Sequence, residues 1–188
     1  MVKAGIIREK NMNFKGKATL DDDLVISAIR GNKEAFINLI EEYKEYLYKT
    51  AYLYVKNQHE ASDIYQETVY KAFISIYKLR RPEYFKTWIT RILINNVRDS
   101  YRKSKKVVFL EDNELLTENL HSVDKISNID LYNAIDSLCV KHKTAIILRY
   151  IHDMPIKDIA KVMRCSENTV KSYIHRALKS LKIDLKEE

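Results

Sequence analysis

The chain has 188 residues, 46% of them hydrophobic and 31% charged, with only 3 glycines and 2 prolines. This is the composition of a soluble globular protein, not of a disordered chain, and the scarcity of turn-forming residues argues against a strand-rich fold. A formal net charge of +7 concerns partners and not fold: nucleic acid is the first candidate and an anionic membrane surface the second.

In chain order, residues 1–20, "MVKAGIIREKNMNFKGKATL", carry five Lys/Arg against one Glu and read as a basic flexible extension. They lack the long apolar run of a secretory leader, and no later stretch approaches the roughly 20 apolar residues of a membrane span. Cys139 and Cys165 have no metal-ligand spacing. Both fall in apolar patterns, so they read as buried free thiols in a reducing compartment, and a cytoplasmic location is expected.

Order begins at Asp21–Asp23, which suit the N-terminus of a first helix. Leu24, Val25, Ala28 and Ile29 keep helical spacing, and Gly31 closes the helix. Ala35, Phe36, Leu39, Ile40, Tyr43 and Leu47 stripe a second helix, and a third runs from about Glu60 to Leu79, ended by Arg81-Pro82. Most of the 13 tyrosines, including Tyr43, Tyr46, Tyr48, Tyr52 and Tyr54, are expected in the core of this region or at its rim.

The fourth helix, "FKTWITRILINNVRDSYRK", is expected to end near Lys103. It places Phe85, Trp88, Ile89, Ile92 and Leu93 on one side and Thr87, Arg91, Asn95, Arg98 and Arg102 on the other. Aromatic rings that stack bases, followed by cations that track phosphates, suit single-stranded DNA, and the preceding loop with Arg80, Arg81 and Tyr84 could receive an unstacked base. A core tryptophan with a solvated helix end is the competing reading for Trp88.

Residues 111–124, "EDNELLTENLHSVD", hold five acidic residues and no Lys or Arg, and read as a tether. Regular patterning returns from Ile129. "IKDIAKVMRCSENTVKSYIHRALKSL" reads as helix, tight turn, helix. Ile159, Ala160 and Met163 line the inside of the first, Cys165 plugs the turn, and Val170, Ile174, Ala177, Leu178 and Leu181 line the second. Ser166 is placed to cap the second helix, with Thr169 at the capping-box distance. Asn168, Lys171, Ser172, Tyr173, His175, Arg176 and Lys179 then face outward, as DNA major-groove recognition requires. Arg164 stands in the turn, where a left-handed backbone would strain it.

With these pieces in order, the chain resembles an extracytoplasmic-function (group IV) sigma factor of bacterial RNA polymerase. The resemblance rests on "GNKEAF", "ASDIYQETVYKAF", "FKTWITRILINNVRDSYRK" and "AIILRYIHDMPIKDIAKVMRCSENTVKSYIHRAL" and covers nearly everything from Asp21 to Leu185. It implies an all-α protein of two small helical domains, at 21–106 and 129–188, joined by a flexible acidic linker at 107–128. It implies that Asp63, Gln66 and Glu67 bind core polymerase. It assigns minus-ten DNA to Arg81, Tyr84, Thr87, Trp88, Arg91, Asn95, Arg98 and Arg102, and minus-thirty-five DNA to Ser166, Asn168, Thr169, Lys171, Ser172, Tyr173 and Arg176. Core polymerase, promoter DNA and an anti-sigma protein, often membrane-anchored, are the implied partners, with no small-molecule substrate and no cofactor.

The chain departs from the family pattern at Ser62, where an acidic residue is usual, and at Cys139, where a proline is usual and helix initiation should change. Arg164 replaces a turn glycine, and Tyr173 replaces a frequent second cation. Two other function classes compete. A stand-alone helix-turn-helix regulator would use only the C-terminal helix pair. A metal-dependent nuclease could use Glu60, Asp63 and Glu67 with His59, although such spacing is more often a solvated acidic face.

Overall fold

The structure is a computed structural model that describes residues 18–108 and 126–184. The basic extension through residue 17 and nearly all of the tether lie outside it. Among the described residues there are eight α-helices and no strand: α1 (Ala18–Ile29), α2 (Lys33–Val55), α3 (Gln58–Phe73), α4 (Phe85–Val108), α5 (Ile126–Ser137), α6 (Val140–Ile146), α7 (Ile156–Met163) and α8 (Glu167–Asp184). None is long and apolar enough to cross a membrane. The chain divides into two compact units, with the division falling along α4 at Val97.

In the first unit, α1 begins three residues earlier than the aspartates suggest, so Asp21–Asp23 lie within the helix and do not cap it. Gly31, at φ +95°, ends that helix as expected, and the Gly31 and Asn32 amides donate back to Ala28 and Ser27. Asn32 and Asn57 cap α2 and α3, each side-chain oxygen accepting an amide hydrogen bond of 3.1 Å three residues on. All six positions of the α2 stripe are buried. Of the tyrosines, Tyr43, Tyr46 and Tyr54 are buried, whereas Tyr52 is exposed.

Helix α3 stops at Phe73, well before Pro82, and a short 3-10 turn follows at Ile76–Lys78. Just past that end the Ser75 hydroxyl donates to the Lys71 carbonyl, and the Ile74 and Ser75 amides return to the Tyr70 and Ala72 carbonyls. A second 3-10 turn at Pro82–Tyr84 leads into α4, which continues five residues past Lys103 to Val108.

Tyr46 joins α2 to α4 in the core. Its hydroxyl lies 2.8 Å from Thr90 Oγ1, and Thr90 itself donates to the Lys86 carbonyl, so Tyr46 is the donor. Burial pushes the Tyr46 phenol up to about 12 from 10.0, only partly offset by the bond to Thr90. The folded state keeps this proton while the unfolded chain releases it near pH 10. Stability is therefore fully present below pH 10 and is lost as pH rises toward 12. Tyr46→Phe is expected to cost about 1 kcal/mol at neutral pH and to flatten the alkaline loss, as read from urea midpoints between pH 8 and 12. An unchanged alkaline profile would place the effect elsewhere.

In the second unit, α6 widens into a π-helical turn at Ile147–Ile151 before the chain turns at Asp153, φ 49°. The nearly buried Lys143 donates to Asp136 at 2.6 Å and ties α6 to α5. The cysteines are not buried as their apolar settings suggest: Cys139 is exposed and Cys165 half-buried. Cys139 precedes α6 at φ −59°, ψ 151°, the backbone a proline would hold, so the helix starts there without one. Burial raises the Cys165 thiol, which disfavours its thiolate.

Candidate nucleic-acid interfaces

On α4 the buried stripe runs through Phe85, Ile89, Thr90, Leu93, Ile94, Asn96 and Val97. Trp88 and Ile92, which periodicity assigns to the same stripe, lie at its edge and keep part of their surface open. The aromatic start therefore splits. Phe85 is core, packed edge-on against Tyr43 with ring centroids 5.2 Å apart, whereas Trp88 leans on Phe85 at 5.8 Å and remains half-exposed. Arg91 and Asn95 follow Trp88 at i+3 and i+7 on the same side of the helix. Arg98 and Arg102 continue the track outward, and both are exposed. From Thr87 to Arg102 it is about 22 Å long at 1.5 Å per residue.

The side chains of Arg91, Asn95, Arg98 and Arg102 make no hydrogen bond or ion pair within the described chain. Ahead of them Arg81 is exposed, 5.8 Å from the Tyr84 ring and 3.9 Å from Glu83, with Tyr84 half-exposed. All eight side chains read as the minus-ten set thus retain solvent access, and those of α4 form one chemical strip: an indole face, then amide and guanidinium donors. Such a strip can stack a base and grip phosphates.

Asp63, Gln66 and Glu67 are exposed together on α3, with Glu67 paired to Lys71 at 3.1 Å. His59 and Glu60 are also exposed, and among the described residues no three His, Cys, Asp or Glu side chains gather as a metal site. Beside Gln66 lies an open apolar groove of about 450 Å³ between α2 and α3, lined by Phe36, Ile37, Tyr65, Val69, Tyr70 and Phe73. Periodicity missed this groove. Ile37 on α2 and Tyr70 on α3, each 59% exposed, lie off the buried stripes of their helices.

In the second unit, Ile159, Ala160, Val170, Ile174, Ala177 and Leu181 are buried. Met163, expected on the inner face of α7, is only half-buried, and Leu178 sits at the edge of the α8 stripe. Arg164 holds the left-handed conformation, φ 55°, ψ 49°, and its amide and that of Cys165 both return to the Ala160 carbonyl. A left-handed L-residue costs about 1–2 kcal/mol. Arg164→Gly is therefore expected to raise stability by about 1 kcal/mol, seen as a higher urea midpoint, and a lower midpoint would mean that the arginine side chain does structural work.

The outward face of α8 is narrower chemically than its sequence suggests. Ser166 Oγ accepts the Thr169 amide at 3.1 Å and lies 2.8 Å from Thr169 Oγ1. Ser172 donates to the Asn168 carbonyl at 2.9 Å. These three hydroxyls are thus engaged with the helix itself. Tyr173 is half-buried against His142 of α6, ring centroids 5.6 Å apart. Asn168, Lys171 and Arg176 are exposed, with no side-chain partner among the described residues, and carry the donors suited to guanine, adenine and phosphate.

Residues 39–107 match Sigma-70 region 2, and residues 129–181 match Sigma-70, region 4. The RNA polymerase sigma factor SigV of Bacillus subtilis (strain 168) is 36% identical over 156 residues, covering 83% of this chain and 94% of that protein. The ECF RNA polymerase sigma-E factor of Haemophilus influenzae is 31% identical over 172 residues, 84% of this chain and 90% of its own. Among solved structures, the sigma factor RpoE from Bartonella quintana, in complex with the anti-sigma factor NepR, shares the fold. It has a TM-score of 0.71 and 24% identity, covering 80% of this chain and 96% of that one.

Proposed function

The chain belongs to the extracytoplasmic-function sigma factors of bacterial RNA polymerase, and from that membership we propose how its surfaces divide the work. The protein directs core polymerase to specific promoters, opens the minus-ten region and thereby starts transcription. Asp63, Gln66 and Glu67 on α3 bind core polymerase. Trp88 and the track from Thr87 to Arg102, with Arg81 and Tyr84 ahead of it, hold the separated minus-ten strand. Helix α8 enters the major groove of the minus-thirty-five element. There Asn168, Lys171 and Arg176 read bases or grip phosphates, and Ser166, Thr169 and Ser172 serve chiefly to hold the start of the helix, with Tyr173 braced on His142. The protein performs no reaction of its own and works in the cytoplasm.

One observation carries this division. Two separate helices, α4 and α8, each present amide and cationic side chains that nothing inside the described chain satisfies. A stand-alone regulator needs only the second of them. The apolar groove between α2 and α3 is the seat we assign to an anti-sigma protein, because exposed Tyr70, Phe73 and Ile37 would be sheltered by such a partner.

The direct test is run-off transcription with purified protein, core polymerase and genomic fragments. Discrete transcripts that require both proteins are expected. Tight binding to duplex DNA by the isolated chain, indifferent to added polymerase, would favour the stand-alone regulator instead.

A further inference from the structure

One polar side chain in the α4 core serves none of these surfaces directly. Asn96 is 5% exposed, and helical spacing places it with Leu93 and Ile89, where an apolar residue would pack. Its amide nitrogen donates to Thr68 Oγ1 at 2.9 Å, and its oxygen accepts from Lys71 Nζ at 2.7 Å. Both partners lie on α3, three residues apart. Thr68 in turn donates to the Ile64 carbonyl at 2.7 Å, and Lys71 also pairs with Glu67. No buried side-chain polar atom among the described residues lacks a partner.

Stability alone does not account for this amide. Were Asn96 replaced by leucine, Thr68 would keep its bond to Ile64, and the half-exposed Lys71 would keep Glu67 and water. Each group would keep another partner, so the exchange is expected to cost little. Direction is what the amide supplies. Apolar contacts tolerate rotation of a helix about its axis, whereas two hydrogen bonds of opposite polarity to two points on α3 admit one rotation. Trp88, Arg91 and Asn95 inherit their direction from that rotation.

We infer that Asn96, clamped by Thr68 and Lys71, is a positioning residue that aims the strand-binding side of α4, beside the Tyr46–Thr90 bond that ties α4 to α2. The inference rests on the strand-capture reading above. The same clamp places Lys71 between α4 and Glu67, so the face assigned to polymerase and the face assigned to the strand are tied by one hydrogen-bonded unit.

The experiment uses the complete protein bound to core polymerase and a fluorescent single-stranded oligonucleotide carrying the minus-ten sequence of a mapped promoter, at fixed salt. Asn96→Leu is expected to weaken strand binding about tenfold, since positioning side chains must hold a site to within fractions of an ångström. The thermal midpoint and polymerase affinity should stay near those of the parent. Thr68→Val, which removes the partner hydroxyl without changing shape, should weaken the strand in the same direction, and Thr68→Ser, which restores it, should recover binding. If Asn96→Leu fails to fold, the Thr68 pair decides. Parental strand affinity in Asn96→Leu or Thr68→Val overturns the inference. Arg91→Ala separates the two levels: if it too binds the strand normally, the strand-capture reading fails, and if it alone weakens binding, only the positioning role fails.

Discussion

Arg176→Ala is expected to lower transcription from promoters bearing a specific upstream element by about tenfold or more, with association to core polymerase unchanged. The guanidinium is exposed on α8, nearly three turns beyond the Ser166 cap, and makes no ion pair or hydrogen bond within the described chain. Removing it therefore costs the fold little. A bidentate arginine–guanine contact is worth about 1–3 kcal/mol, and about 1.4 kcal/mol is a factor of ten. If Arg176 grips phosphate instead, the loss should be similar across upstream sequences and should shrink with added salt. Quantitative transcription on a panel of upstream variants distinguishes the two. Loss of polymerase binding in parallel would mean that this side of α8 has been assigned to the wrong partner.

Trp88→Ala is expected to slow promoter opening by a comparable factor. Stacking of one base on an aromatic ring is worth about 1–3 kcal/mol, and Trp88 is the only tryptophan in the chain. Its half-exposed ring leans on Phe85 and so offers a supported face rather than a floating one. Truncation also removes packing against Phe85, so the thermal midpoint must be measured beside the activity. Permanganate reactivity of unpaired thymines in the minus-ten region reads the opening step directly. A normal bubble in Trp88→Ala would return the indole to the role of core filler.

The α2 stripe, the Gly31 stop and the Ser166 cap were legible from spacing, because each depends on residues within one or two turns of one another. Helix ends were legible less often. Nothing in the hydrophobic pattern announces that α3 ends at Phe73, and Pro82 drew attention to a break that had already occurred. Cys139 misled in two ways. Its apolar neighbours suggested burial, and the missing proline suggested an altered start to α6, yet the residue is exposed and holds a proline-like backbone.

The order and periodicity of the helices, the cationic excess and the helix-turn-helix were determined by the amino-acid sequence alone, since amphipathic spacing and capping act locally. Tertiary structure alone decided that Asn96, next to the outward Asn95, is clamped by α3. It also separated Phe85 from Trp88 and engaged the hydroxyls of Ser166, Thr169 and Ser172. The physical reason is that neighbours on a helix point roughly 100° apart, and only the surface packed against that helix determines which of those directions is buried.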